Sequence, residues 1–202
     1  QRFMTTDCFT EAGFNVLYIL NEPSAAAMEY IHSYFKRIDR SAKKYLLVYD
    51  LGGGTFDASI AKIHDIYHKI IATEGLDELG GDQFDEVMAN IVIEKLPPEI
   101  KLDFADKIRL LEICKSKKES INPYSKTILI EWDNKDIEIP VIKIPVATYY
   151  EQCEALIERT VEVIEKIMKP IIQSEGVEFF SSLYLVGGMS NFPLINRRLR
   201  GL

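Results

Sequence analysis

The spacing of apolar residues changes several times along the chain, and each change marks an element. Arg2–Ala12 has helical spacing and stops at Gly13, a usual residue just past a helix end. Phe14–Leu20 (FNVLYIL) reads as a strand. Asn21-Glu22-Pro23-Ser24 then opens a helix to about Phe35, with Pro23 suited to its first turn and Ala25-Ala26-Ala27 thinning it for close packing. Tyr45–Tyr49 is an apolar run, and after Gly52-Gly53-Gly54 the residues Phe56, Ala58 and Ile60 alternate with Thr55, Asp57 and Ser59. That pattern predicts two strands, Tyr45–Tyr49 and Thr55–Ile63, joined by a glycine turn. A third strand, Tyr67–Thr73, follows, with His64 and His68 as turn residues rather than metal ligands.

The second half is predicted in the same way. Gly80-Gly81 precedes a helix to about Lys95, which Pro97-Pro98 closes. Phe104–Glu119 is helical, with Ile108, Leu111, Cys114 and Leu110 toward one side. Thr127–Asp133 and Asp136–Ile142 alternate as a hairpin, with Trp132 packed in or near the core. Thr148–Ile172 is the longest helix, its stripe running through Tyr149, Cys153, Leu156, Thr160, Ile164, Ile167 and Ile171. Pro170 is expected to kink or end it. Ser182–Val186 is the last strand, leading through Gly187-Gly188 to a helix-like Leu194–Leu199.

Composition narrows the class. A chain of 202 residues, 47% hydrophobic and 27% charged, suits one large or two small globular domains. A net charge of −7 argues against a general nucleic-acid or anionic-membrane surface. No apolar run reaches membrane-spanning length, and Gln1-Arg2-Phe3-Met4 carries no signal-peptide pattern. Cys8, Cys114 and Cys153 are odd in number and widely spaced, which reads as reduced thiols in the cytosol or an organelle matrix. The basic stretch Lys36–Lys44 reads as a solvated connection. The chain has the look of a piece cut from something longer.

Candidate chemistry gathers on Asp50-Leu51-Gly52-Gly53-Gly54-Thr55-Phe56-Asp57. Three successive glycines permit positive φ and let bare N–H groups approach an anion, forming a concave nest for phosphate oxygens. Thr55 and Asp57, two apart, share one strand face, and Asp50 enters from the opposing strand. A hydroxyl and two carboxylates beside such a nest suit hydrated Mg²⁺ with a nucleotide. The competing reading is a glycine hairpin with solvated aspartates. Glu22 sits where strand gives way to helix, a place for a functional carboxylate or for a plain helix-start acid. Gly80-Gly81 before a helix offers a second phosphate position. Gly187-Gly188 after a strand offers a close approach to a sugar or base edge.

Four stretches, NEPSAAA (Asn21–Ala27), DLGGGTFD (Asp50–Asp57), LGGDQFD (Leu79–Asp85) and LVGGMSNFP (Leu185–Pro193), occur in an order that resembles the ATPase domain of seventy-kilodalton heat-shock chaperones of DnaK type. The likeness implies an α/β, actin-like fold of two ribonuclease-H-like lobes with ATP between them. This chain resembles the second lobe (45–96 and 146–202) with an inserted α+β outer subdomain (97–145), preceded by a connecting helix, strand and helix from the first lobe (1–44). By position, Gly52, Gly53, Gly54 and Thr55 would cradle phosphates. Asp50 and Asp57 would hold Mg²⁺ through water or the attacking water, with Glu22 as a third carboxylate. Gly80 and Gly81 would border the phosphates, and Gly187, Gly188, Met189 and Asn191 would face the nucleoside with Lys117 and Lys118. The reaction implied is in-line attack of water on the γ-phosphoryl group of ATP, giving ADP. Implied partners of the parent protein are unfolded client peptides, a J-domain co-chaperone and a nucleotide-exchange factor, with neither nucleic acid nor membrane.

The resemblance breaks at the base pocket. Where the family has Ser-Thr-Arg this chain has Met189-Ser190-Asn191, and the segment of Glu-Arg-x-Lys-Arg type reads Cys114-Lys115-Ser116-Lys117-Lys118-Glu119-Ser120-Ile121-Asn122. Lysine is no planar guanidinium for stacking. Weak or poorly adenine-selective binding is expected, and little turnover by a piece that lacks the first lobe. Two alternatives stand beside the ATPase reading. One is a divergent regulatory module that contacts co-chaperones with little turnover; the other is a sugar- or acetate-kinase-type phosphotransferase.

Overall fold

The computed structural model describes residues 2–34, 44–65, 67–131 and 139–200. Helix α1 (Arg2–Glu11) ends at Gly13, whose φ of 88° lets the chain leave the helix while the N–H of Phe14 reaches back to the Phe9 carbonyl at 3.0 Å. Helix α2 (Glu22–Tyr34) starts one residue before Pro23, as the sequence predicts. Residues 14–21 between them form no strand, which corrects the expectation for Phe14–Leu20. An apolar run becomes a strand only when a neighbour takes its hydrogen bonds. None of the described strands pairs with it, and Phe14, Leu17 and Tyr18 are exposed.

Strands β1 (Lys44–Leu51), β2 (Phe56–His64), β3 (Tyr67–Leu76) and β6 (Phe180–Val186) make one mixed sheet in the order β3-β2-β1-β6. The first three are antiparallel neighbours, and β1 runs parallel to β6. Its two faces are covered differently. Leu46, Val48, Ala61 and Ile63 meet Ala26, Ala27, Tyr30 and Ile31 of α2, where the alanines permit the close approach that the sequence predicts. Tyr45, Leu47, Tyr49, Leu51, Phe56, Ala58 and Ile60 face the larger core, built with α3 (Gly81–Lys95), α4 (Phe104–Glu119) and α5 (Val146–Glu175). A buried hydrogen bond of 2.9 Å between Tyr49 Oη and Thr160 Oγ1 fixes α5 to the central strand.

Three further expectations are corrected in whole or in part. Helix α5 does not end at Pro170 but continues to Glu175; Pro170 lies on the exposed side of its last turns, where water can serve the freed carbonyl. On α4 the buried stripe is Leu110, Cys114 and Lys118, while Ile108 is exposed and Leu111 only partly covered. Strand β4 (Thr127–Ile130) pairs with β5 (Ile142–Pro145), so the second hairpin strand lies later than the predicted Asp136–Ile142. Trp132 and residues 132–138 of that hairpin fall outside the described residues, as does Lys36–Lys44 apart from Lys44 itself. The chain closes with α6 (Pro193–Leu199), reached from β6 through a short 3₁₀ turn, Gly188–Asn191. Cys8 is exposed, and Cys114 and Cys153 are buried as free thiols.

Candidate functional site

The glycine triplet Gly52–Gly54 and the pairs Gly80-Gly81 and Gly187-Gly188, far apart in sequence, come together at one end of the sheet: the second packs on the triplet, and Gly187 packs on Asp50 and Leu51 just before it. The carbonyls of Gly52 and Gly53 accept from the first N–H groups of α3, those of Gly81 (2.9 Å) and Asp82 (2.8 Å). Gly80 presses so closely on the turn that a Cβ there would lie 2.5 Å from the Gly53 carbonyl and 2.6 Å from the Gly54 nitrogen. Gly187, with φ of 87°, leaves room only for hydrogen where it meets the Leu51 carbonyl and the Asp50 carboxylate.

The Gly52–Gly54 bend itself differs from expectation. None of its glycines has positive φ. Nor would any clash on gaining a Cβ: the nearest atoms are the Thr55 carbonyl at 3.7 Å and the Asp82 carboxylate at 3.9 and 4.0 Å. The Gly52 N–H is already bonded to the Thr55 carbonyl at 3.0 Å, so the bare amides of the nest reduce to those of Gly53 and Gly54. Neither turn geometry nor internal packing requires glycine at 53 and 54. Open amides without Cβ atoms in front suit a ligand that comes from outside. Gly80 and Gly81 present no spare N–H to such a ligand, because Gly80 donates to Gln83 Oε1 (2.7 Å) and Gly81 to Gly52. They shape the wall instead.

Carboxylates converge on the α2 side of the same end. Asp50 and Asp57 face each other in register across β1 and β2, a like-charge pairing that is unfavourable by itself. Helix α2 lies on this face, so its first residue, Glu22, arrives beside them. All three line one cavity of about 470 Å³, with Ser59 and Thr73, whose hydroxyls are 2.9 Å apart, and Arg2 at its edge. Burial raises the Asp50 carboxyl above the ordinary range, and Glu22 and Asp57 raise it further. Asp57 is raised by burial, then by Glu22 and by Asp77 at the end of β3. Crowded carboxylates with raised affinity for a proton are a place for a cation. Among the described residues no three such groups are close enough to grip a metal directly, so an ion here would keep water between itself and the protein. Thr55 is exposed on the turn, one residue before β2.

A second cavity, of about 190 Å³, is lined in part by Lys118 and Met189, which lie against Gly81. Lys118, Glu119, Gly188, Met189, Asn191 and Phe192 line it. Four of these, Lys118, Gly188, Met189 and Asn191, are sequence-predicted nucleoside residues brought together. Lys117 is not among its lining, and Gly187 serves the backbone contact with β1 instead. No arginine is among the described lining. Lys118 is spent inward: its Nζ donates to the Gly81 carbonyl at 2.6 Å and lies 2.8 Å from Asp85 Oδ1, both side chains buried. Burial raises the Asp85 carboxyl, and Lys118 pulls it back. Sequence reading missed Asp85, Glu119 and the inward turn of Lys118. The signal was there, since Leu110, Cys114 and Lys118 recur every four residues and place the lysine on the buried stripe.

Residues 1–202 match the family model described as Hsp70 protein. The chain is 33% identical over 199 residues to a chaperone protein HscA homolog of Azotobacter vinelandii, covering 98% of this chain and 30% of that protein. It is 34% identical over 207 residues to an HscA homolog of Polynucleobacter necessarius subsp. necessarius, covering 100% and 31%. With the chaperone protein DnaK of Thermosipho melanesiensis it shares 33% over 211 residues, covering 99% and 34%. The chain thus spans about a third of the length of these relatives. A match from the first residue to the last, with relatives a third identical over almost the whole chain, makes this a member of the Hsp70 family.

Proposed function

We propose that this chain is the second-lobe part of an actin-like ATPase module in a heat-shock-type chaperone, binding ATP or ADP with Mg²⁺ and hydrolysing ATP within the whole protein. The observation that carries it is the meeting of a glycine triplet with open amides and two glycine pairs next to Asp50, which lines one cavity with Glu22 and Asp57. Gly53 and Gly54 would receive phosphate oxygens through N–H groups. Asp50, Asp57 and Glu22 would hold and orient water, with Thr55 at the mouth. Magnesium, when bound, supplies the positive charge that offsets both the phosphates and these carboxylates. Catalysis would come chiefly from positioning and charge.

The outer subdomain at 97–145 and the connecting segment at 1–44 are parts of the same reading. Packing supports the first through β4 and β5 beside α3 to α5, while α2 lies directly on this lobe's sheet. For the whole protein we infer client peptides, a J-domain co-chaperone and an exchange factor as partners; the printed names of its relatives, chaperones all, support this. The free buried thiols fit a cytoplasmic setting, and no described helix is long and apolar enough to cross a membrane. Family membership does not favour the kinase-type or the non-cycling alternative.

Single-turnover hydrolysis by the whole protein tests the proposal. Asp57→Asn is expected to slow it at least about a hundredfold, the scale of a lost general acid–base or water-orienting group. An unchanged rate would overturn the assignment. Titration calorimetry should give ATP and GTP affinities within about tenfold, because no stacking guanidinium is among the described residues that line the nucleoside cavity; tight ATP binding with GTP excluded would contradict the pocket as described.

A further inference from the structure

We propose that Gly75 is a positioning residue for Asp57: the space its side chain would fill is the space into which the Asp57 carboxylate leans. The consequence for nucleotide chemistry rests on the reading above; the packing argument does not.

Asp50, Asp57 and Gly75 stand in one row, in register across β1, β2 and β3, with β2 in the middle. Residues directly opposed in antiparallel strands point to one face, with Cβ atoms about 5 Å apart. Asp57 therefore has a carboxylate on one side and a bare Cα on the other. Its own carboxylate is turned to the bare side: a Cβ on Gly75 would lie 2.6 Å from Asp57 Oδ1 and 3.4 Å from Cγ. Leaning that way takes negative charge away from Asp50 and leaves room beside it in the cavity that both line with Glu22.

Glycine is not required here by backbone conformation, since Gly75 is not among the glycines with positive φ. Inside a strand glycine is otherwise a weakness, and it often marks a close approach. The competing neighbour is the Phe56 carbonyl, 3.0 Å from the same Cβ position. That contact is tight, but a shift of a few tenths of an ångström relieves it. The carboxylate has much further to go, and it ends a rotatable side chain. An alanine at 75 would thus swing it back toward Asp50 while the strands stay paired.

Calorimetric titration of the whole protein with ADP, in Mg²⁺ and in EDTA, reads the place of the carboxylate without any hydrolysis. Gly75→Ala should cut the gain in ADP affinity that Mg²⁺ confers by about tenfold and leave the metal-free affinity within about threefold. Single-turnover hydrolysis should slow about tenfold or more, since misplacing a positioned group by about 1 Å can cost about a hundredfold. In an Asp57→Ala background the same substitution should change either quantity by less than about twofold, because two changes that act through one contact are not additive. Unchanged ADP binding and rate in Gly75→Ala overturn the proposal. So does an equal loss of ADP affinity with and without Mg²⁺, which would mean that alanine deforms the site as a whole. A loss that persists in full without the Asp57 carboxylate also overturns it. Should Gly75→Ala not fold, Gly75→Ala/Asp57→Ala carries the test. Folding regained on removing the carboxylate supports the contact, and failure in both shows that the Phe56 carbonyl is what demands glycine. Wild-type protein that binds no ADP, or binds it equally without Mg²⁺, removes the nucleotide reading. The packing claim is then decided by urea midpoints: an equal drop from Gly75→Ala with and without the Asp57 carboxylate overturns it, and a smaller drop without it supports it.

Discussion

Glycines that look equivalent in sequence divide into two kinds once their surroundings are known. Gly80 and Gly187 are held by backbone contacts that no side chain tolerates, whereas a Cβ on Gly53 or Gly54 would make only ordinary contact with the Asp82 carboxylate. Gly187→Ala, which adds a positive-φ penalty to a clash, is expected to cost about 2 kcal/mol or more, seen as a lower midpoint in urea. Gly53→Ala should change stability by less than about 0.5 kcal/mol and yet weaken pyrophosphate binding. Equal destabilisation by both would remove the distinction. The paired aspartates allow a second comparison. Asp50 and Asp57 hold protons more readily in the folded chain than in the unfolded one, so their ionisation lowers stability as pH rises above the ordinary carboxylate value of about 3.9. Asp50→Asn or Asp57→Asn should therefore be more stable than wild type at neutral pH, by about 0.5 kcal/mol given their partial exposure. The advantage should vanish below pH about 4, where both carboxyls are protonated anyway. A lower melting temperature for both variants at pH 7 would contradict the repulsion. These residues were legible because Asp, Gly and Thr at strand–turn positions carry their chemistry in their spacing; Asp85 was not, because nothing local announces that a carboxylate will be buried against a lysine from another helix.

Helices were read more faithfully than strands. Helix α4 matches the predicted span, since a helix satisfies its own hydrogen bonds and its period is local. Strands need partners: FNVLYIL has the composition of one and no described strand paired with it, and the β4–β5 register depends on a turn that the alternation alone did not fix. Proline was over-read as a helix end for a related reason. Pro170 removes one N–H late in a helix of 30 residues that is anchored along its earlier turns by Tyr149, Cys153, Ile157, Thr160 and Ile164. Anchoring outweighs the local penalty. Pro170→Ala should then raise the melting temperature, with a gain of up to about 3 kcal/mol. Absence of any gain would mean that the helix has already relaxed around the ring.

At the scale of the molecule, the site is the product of topology. β1 supplies Asp50, β2 supplies Asp57, α2 brings Glu22 onto the same face, and α3 and β6 deliver their glycines to the turn between the first two strands. The sequence motifs named the participants, but the inward use of Lys118 and the two separate cavities arise only from how the elements stack. The burial of two thiols in that stack has a practical consequence. Desolvation pushes Cys114 and Cys153 up to about 12, so neither is nucleophilic at neutral pH, while Cys8 stands exposed on α1. A maleimide dye should attach once per native chain and three times after denaturant, as counted by intact-mass spectrometry; two or three additions to the native protein would show the interior to be open. A single fluorophore on that first helix would then report whatever docks beside it, without any cysteine having to be engineered away.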